Sequence, residues 1–138
     1  MTLPTPSATD EHTRRPGELL ALALAAKDAA GLRALFTTPV RFRAVTPRRF
    51  WDAETPPQVV DDIILGTWFD SSKEITGLDL LESDLVGDVH RTTYRLTVSL
   101  ASGPAVVEQT AYYTTDDGLI TDIRLVCSGF RPVSPGSG

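Results

Sequence analysis

Six positions in the second half of the chain combine a reactive side chain with an apolar strand face. His90, Thr92 and Tyr94 alternate along one segment, Gln109 and Tyr113 fall on the next, and Cys127 lies on a third. In a strand, residues two apart point the same way, so each set shares a face. His90 is the natural proton carrier, because imidazole titrates near neutrality. Tyr94 and Tyr113 would donate to an oxygen that gains charge, and Gln109 would orient a carbonyl. His90, Tyr94 and Tyr113 are therefore the candidate catalytic groups. Gln109, Trp51, Trp68 and Cys127 are the candidate substrate contacts, with the two indoles forming an aromatic wall for an apolar ligand. Cys127, flanked by apolar residues, would pack as a small hydrophobe. Glu108 is expected on the opposite face, paired with Arg95 or Arg124. A slip of one residue in strand 105–115 would turn it inward.

Composition narrows what these groups serve. The chain has 138 residues, 41% of them apolar and 22% charged, which is a globular balance and room for one domain. A net charge of −5 argues against a nucleic-acid partner, whose phosphates need dense Lys and Arg. Two histidines and one cysteine predict no metal site and exclude an internal disulfide. The longest apolar run, residues 19–26, is too short to span a bilayer. The Pro- and Thr-rich start lacks the apolar stretch of a signal peptide. A soluble, cytoplasmic protein is expected, without a membrane partner.

The elements that must hold the candidate groups can be read in order. Residues 1–15, including His12, and 134–138 read as flexible tails around one domain, 16–133. The Ala- and Leu-rich stretch after Pro16 predicts helices over 17–29 and 31–36, broken at Gly31. A short strand is expected over 40–45, then an aromatic, charged loop over 47–54. Thr55-Pro56-Pro57-Gln58 matches a capping box, which predicts a helix over 56–68 with Val59, Val60, Ile63, Ile64 and Trp68 on its apolar stripe. From Glu74 the period becomes two. Turns at Gly87-Asp88, Ser102-Gly103 and Asp116-Asp117-Gly118 predict hairpins pairing Val86 with Val89, Ala101 with Pro104 and Thr115 with Leu119. They put Leu81, Leu85, Tyr94, Leu96, Val98, Val107, Ala111, Ile123 and Leu125 on one buried face. Asp84, Arg91, Arg95, Glu108, Thr110, Tyr112, Asp122 and Arg124 fall on the outer face. Asp79 is expected to turn outward at a bulge near Gly77.

Two motifs sharpen this order. Residues 22–36 (Leu-Ala-Leu-Ala-Ala-Lys-Asp-Ala-Ala-Gly-Leu-Arg-Ala-Leu-Phe) and 117–124 (Asp-Gly-Leu-Ile-Thr-Asp-Ile-Arg) resemble the opening helix and closing hairpin of the nuclear transport factor 2-like superfamily, especially its SnoaL-like small-molecule branch. The resemblance covers residues 17–131. It implies an α+β cone, with helices packed in a curved antiparallel sheet around an apolar pocket and the 47–54 connection at its mouth. It also implies no cofactor. The expected activity is isomerisation, cyclisation or hydration of an apolar, carbonyl-bearing metabolite by proton transfer. The rival expectation is a non-catalytic dimerising module whose pocket is filled by its own side chains. A homodimer through the outer sheet face is expected in either case. Aligned on ketosteroid isomerase, Leu20 stands at the oxyanion tyrosine, Ala44 at the general base, and Thr110 or Tyr113 at the carboxylic acid. Asp122 and Arg124 are the possible members of an epoxide-hydrolase set, on the outer face.

Overall fold

The computed structural model describes residues 15–133; residues 1–14 of the predicted 1–15 tail, with His12, and the predicted tail 134–138 lie outside the described residues. Helix α1 spans Pro16–Ala25, with Pro16 at its start, and α2 spans Ala29–Arg33. The break between them falls at Lys27 and Asp28 rather than at Gly31. Lys27 takes a left-handed φ of 52°, and the Asp28 carboxylate accepts the Gly31 amide at 3.0 Å, capping α2. Phe36, expected to end the second helix, opens strand β1, which runs Phe36–Thr46 and is nearly twice the length predicted. The predicted loop 47–54 is mostly strand: the chain turns at Pro47-Arg48, and β2, Arg49–Ala53, pairs back on β1.

The capping box forms as read. The Gln58 amide donates to Thr55 Oγ1, and Gln58 Oε1 accepts the Thr55 and Glu54 amides. The helix it opens is wider than an α-helix. Gln58–Trp68 is a π-helix, its five-residue spacing seen in the backbone bond from the Phe69 amide to Ile64 O at 2.8 Å. Gly66 permits this winding, since a Cβ there would sit 2.2 Å from the Asp61 carbonyl oxygen.

Four long strands follow: β3 Glu74–Val86, β4 Val89–Leu100, β5 Gly103–Asp116 and β6 Leu119–Cys127; a short β7, Arg131–Pro132, joins β5. The sheet order is β2-β1-β6-β5-β4-β3. It is mixed rather than wholly antiparallel, because β1 and β6 run parallel. The first hairpin has the predicted pairing, Val86 with Val89. The second pairs Leu100 with Gly103, and the third brings Ala111 opposite Leu125 rather than Ile123. Away from the turns both shifts are by two residues, which keeps those side chains on their predicted faces. Beside the third turn a bulge between Thr114 and Thr115 pairs Thr115 with Ile120 and turns Ile120 into the core. In β3 two bulges change the outcome. One, between Ile75 and Gly77, leaves Asp79 outward as expected. The other, between Leu80 and Glu82, puts Leu80 rather than Leu81 opposite Tyr94. β3 is also a sheet edge, and Leu81 and Leu85, predicted buried, are 41% and 53% exposed.

The rest of the predicted inner face is buried. Tyr94, Leu96, Val98, Val107, Ala111, Ile123 and Leu125 pack against Leu20 and Leu24 of α1 and the Val59, Ile63, Ile64 and Trp68 stripe. Glu108 lies on the outer face, bonded to Arg95 at 3.1 Å, which fixes the direction of strand 105–115. No helix among the described residues is long and apolar enough to cross a membrane.

Candidate functional site

The inner face of β4 and β5 carries the polar groups singled out from the sequence, and the fold divides them between two neighbourhoods. At the first, the strands pass under α1. His90 pairs with Tyr113 across the ladder, their rings stacked 5.0 Å apart. The Tyr113 hydroxyl accepts the Gly17 amide at 2.8 Å and lies 3.5 Å from Thr92 Oγ1. Gly17 is required here: a Cβ would come within 2.2 Å of Thr92 Oγ1 and 2.7 Å of the Tyr113 ring. The helix backbone therefore seals this end. Burial raises the Tyr113 hydroxyl above the ordinary phenol range, and the bonds to Thr92 and Gly17 oppose that. Of the two imidazole nitrogens, Nδ1 of His90 is buried without a partner among the described residues.

Two residues further along β4 the arrangement opens. Tyr94 and Gln109 face each other across the ladder, and the Tyr94 hydroxyl donates to Gln109 Oε1 at 2.6 Å. Gln109 Nε2 in turn donates to Cys127 Sγ at 3.3 Å, which also accepts the Gly129 amide at 3.4 Å. Burial drives the Tyr94 hydroxyl far above its ordinary range, and the nearby Cys127 adds to the rise. Both Tyr94 and Gln109 are almost fully buried. Such an amide is costly unless paired, and this chain of bonds turns its oxygen toward Tyr94 and its N–H groups the other way.

Beyond Gln109 lies a cavity of about 200 Å³. Gln109, Trp51, Trp68 and Cys127 all line it, so the four candidate substrate contacts come together. His90, Tyr94 and Tyr113 do not line it. The single pocket expected for His90, Tyr94, Gln109 and Tyr113 is thus two sites, because α1 closes over one end of the strands. Trp51 and Trp68 meet edge to face at 5.7 Å, and Trp68 also packs on Phe42. The Trp51 indole donates to Thr46 Oγ1 at 2.8 Å, while the Arg49 guanidinium sits 3.7 Å over its ring. The buried Trp68 Nε1 has no partner among the described residues. Phe69 and Phe130, in edge-to-face contact at 5.7 Å, complete the aromatic wall, with Lys73 beside them. Sequence reading missed these three. Phe130 reaches the wall because Gly129 turns the chain at a φ of 77°, and the Gly129 that follows the last strand was the one available signal. A broader groove of about 1160 Å³ runs along the β1–β2 hairpin. Its charged groups, Arg41, Arg43, Arg49, Asp52, Glu54 and Asp62, are all exposed, so it lacks the desolvated polar groups of a specific site. Among the described residues no three His, Cys, Asp or Glu side chains are placed to hold a metal ion.

No protein-family model and no curated protein sequence matches the chain. Solved structures do. A protein of ketosteroid isomerase-like fold from Catenulispora acidiphila, in complex with trimethylamine, superposes with a TM-score of 0.67 at 14% identity over 84% of this chain and 87% of that one. A nuclear transport factor 2-like protein from Burkholderia thailandensis gives 0.62 at 17% identity over 84% and 92%. An LEH-like epoxide hydrolase from M. tuberculosis gives 0.63 at 13% over 82% and 80%. The fold is therefore the nuclear transport factor 2-like cone. At these identities the likeness defines the fold and leaves the activity to be argued from the site.

Proposed function

We propose that this protein binds a small, apolar, carbonyl-bearing molecule in the cavity walled by Trp51, Trp68 and Cys127. The observation that carries this reading is the Tyr94–Gln109–Cys127 chain of hydrogen bonds. It presents an amide N–H donor at the floor of a cavity walled mainly by aromatic and apolar side chains, the arrangement expected for a ligand oxygen. The volume suits a single ring with a short substituent, since roughly 150 Å³ of apolar cavity accepts benzene. Binding is favoured over turnover. Cofactor-independent isomerisation, cyclisation or hydration needs a proton carrier against the ligand. The candidates for that role, His90, Tyr94 and Tyr113, lie outside the cavity, no carboxylate lines it, and the ammonium of Lys73, which does, is bonded to the Thr67 carbonyl. Thermal-shift measurements with small aryl ketones test the reading: they should stabilise the native chain and not the cavity-filling variant Cys127→Phe. Equal shifts for both proteins would remove it.

The rival reading, a homodimerising module, has support of its own on the outer face. Phe50, Val45 and Val126 are cross-strand neighbours there, 82%, 43% and 51% exposed. The next row, Asp52, Arg43, Arg124, Tyr112, Arg91 and Asp84, mixes both signs of charge. We read this face as a two-fold interface compatible with ligand binding. Light scattering should give a dimer for the native chain and a monomer for Phe50→Glu; a monomeric native chain at tens of micromolar refutes it. The unpaired thiol of Cys127 fits a cytoplasmic setting.

A further inference from the structure

Eleven residues line the cavity, and one of them, Lys73, is charged. Its ammonium lies 5.1 Å from the centroid of the Phe130 ring and donates to the Thr67 carbonyl at 3.2 Å. It makes no ion pair among the described residues. The nearby acid, Asp70, lies outside the lining and forms no ion pair with Lys73 among the described residues. Its carboxylate takes the Ser72 amide and hydroxyl, which with the nearby charges of Lys73 and Lys27 lowers it below the ordinary carboxylate range. Lys73 is also held in place. The Lys27 ammonium donates to the backbone carbonyls of Asp70, at 2.9 Å, and of Lys73 itself, so the end of α1 pins the turn that carries the charge. Gln109 adds a second donor, its oxygen already spent on Tyr94. Gln109 and Lys73 thus present donors, and the lining contains a positive charge and no carboxylate.

We infer that the ligand is a small carboxylic acid in its ionised form, an aryl or alicyclic monocarboxylate, with its ring against the aromatic wall and its carboxylate at Lys73. This rests on the binding reading above and narrows it. A carboxylate accepts only, so it suits donors that a protonated amine would oppose. An ammonium beside an aromatic wall, where the local dielectric is below that of bulk water, attracts an anion more strongly than one in bulk solvent does.

Three probes of one shape separate the possibilities: phenylacetate, the neutral ketone phenylacetone, and 2-phenylethylamine, each titrated by calorimetry against the full-length protein at low salt. Phenylacetate should bind about tenfold or more tighter than phenylacetone, the scale of one partly desolvated ion pair, and the amine should bind weakest. Lys73→Met should lose that tenfold for phenylacetate and leave phenylacetone within about twofold, while Lys73→Arg should keep the preference. Phenylacetone binding as tightly as phenylacetate overturns the anion assignment and leaves the cavity reading standing. The amine binding tightest overturns it as well. Failure of all three probes overturns the cavity reading together with it.

Discussion

Two ends of one sheet face can be compared directly. Near the Gly87 turn, His90, Thr92 and Tyr113 lie under α1, and the Gly17 amide closes on the Tyr113 hydroxyl with no space between. A few residues along the same strands, Tyr94 and Gln109 pair with each other and border a cavity of about 200 Å³. The residue types are alike, each end having a buried tyrosine bonded to a polar neighbour. What differs is the opposing layer. A glycine in α1 lets backbone approach side chain, whereas at the other end two indoles and the 127–130 turn hold the walls apart. A polar group on a buried face is thus a structural cap or a ligand contact according to what lies across from it.

The largest effect that tests this contrast comes from adding volume at each end. Ala111→Leu, at a fully buried position opposite Thr92, should cost about 1–3 kcal/mol by overpacking. Cys127→Leu, beside the cavity, should cost under about 1 kcal/mol while weakening probe binding. Urea unfolding of both variants measures the difference, and equal costs would mean that the cavity is no more yielding than the sealed end.

Removing one hydroxyl at each end sharpens the comparison. Tyr94→Phe leaves Gln109 Oε1 without its donor, and Tyr113→Phe leaves the Gly17 amide without its acceptor. Each should cost about 1–3 kcal/mol, the penalty for an unpaired buried group. Only Tyr94→Phe should alter ligand preference, because it frees the Gln109 amide to turn its oxygen into the cavity. A changed preference in Tyr113→Phe would break the separation of the two ends.

The smallest effect is in the alkaline limb. Burial raises both tyrosines above their unfolded value, so the folded chain holds its phenolic protons longer. A raised folded pKa gives stability that is complete below the unfolded value of about 10 and is lost as pH rises beyond it. Stability should therefore hold to about pH 10 and fall above it. The fall should be shallower in Tyr94→Phe, which has one such group fewer. Unfolding midpoints from pH 8 upward check this, and identical slopes would count against the burial of Tyr94.

Much of the framework follows from local pattern. Strict alternation in residues 93–99 assigns the two faces of β4. The Thr55–Gln58 box starts a helix, since its bonds close within four residues. The opening and closing motifs point to the cone. Face assignment also survives a wrong register where the shift is even. The β4–β5 pairing and most of the β5–β6 pairing are two residues from prediction, which returns each side chain to its side, whereas the one-residue bulge beside the last turn buries Ile120.

Tertiary structure decided the rest. The exposure of Leu81 and Leu85 depends on β3 being an edge strand. A bulge at Leu81 can be judged only against β4. The five residues of β2 read as a loop because Phe50, Trp51 and Asp52 lack alternation of their own, and pairing with β1 makes them a strand. The stripe at 59, 60, 63, 64 and 68 reads as one helix face without showing which winding the helix takes, and Gly66 against the Asp61 carbonyl accompanies the wider one. The division of His90 and Tyr113 from Gln109 and Cys127 could not be read from strand periodicity at all. Periodicity states which side of a sheet a residue occupies, and it carries no information about which helix, turn or empty space will lie opposite.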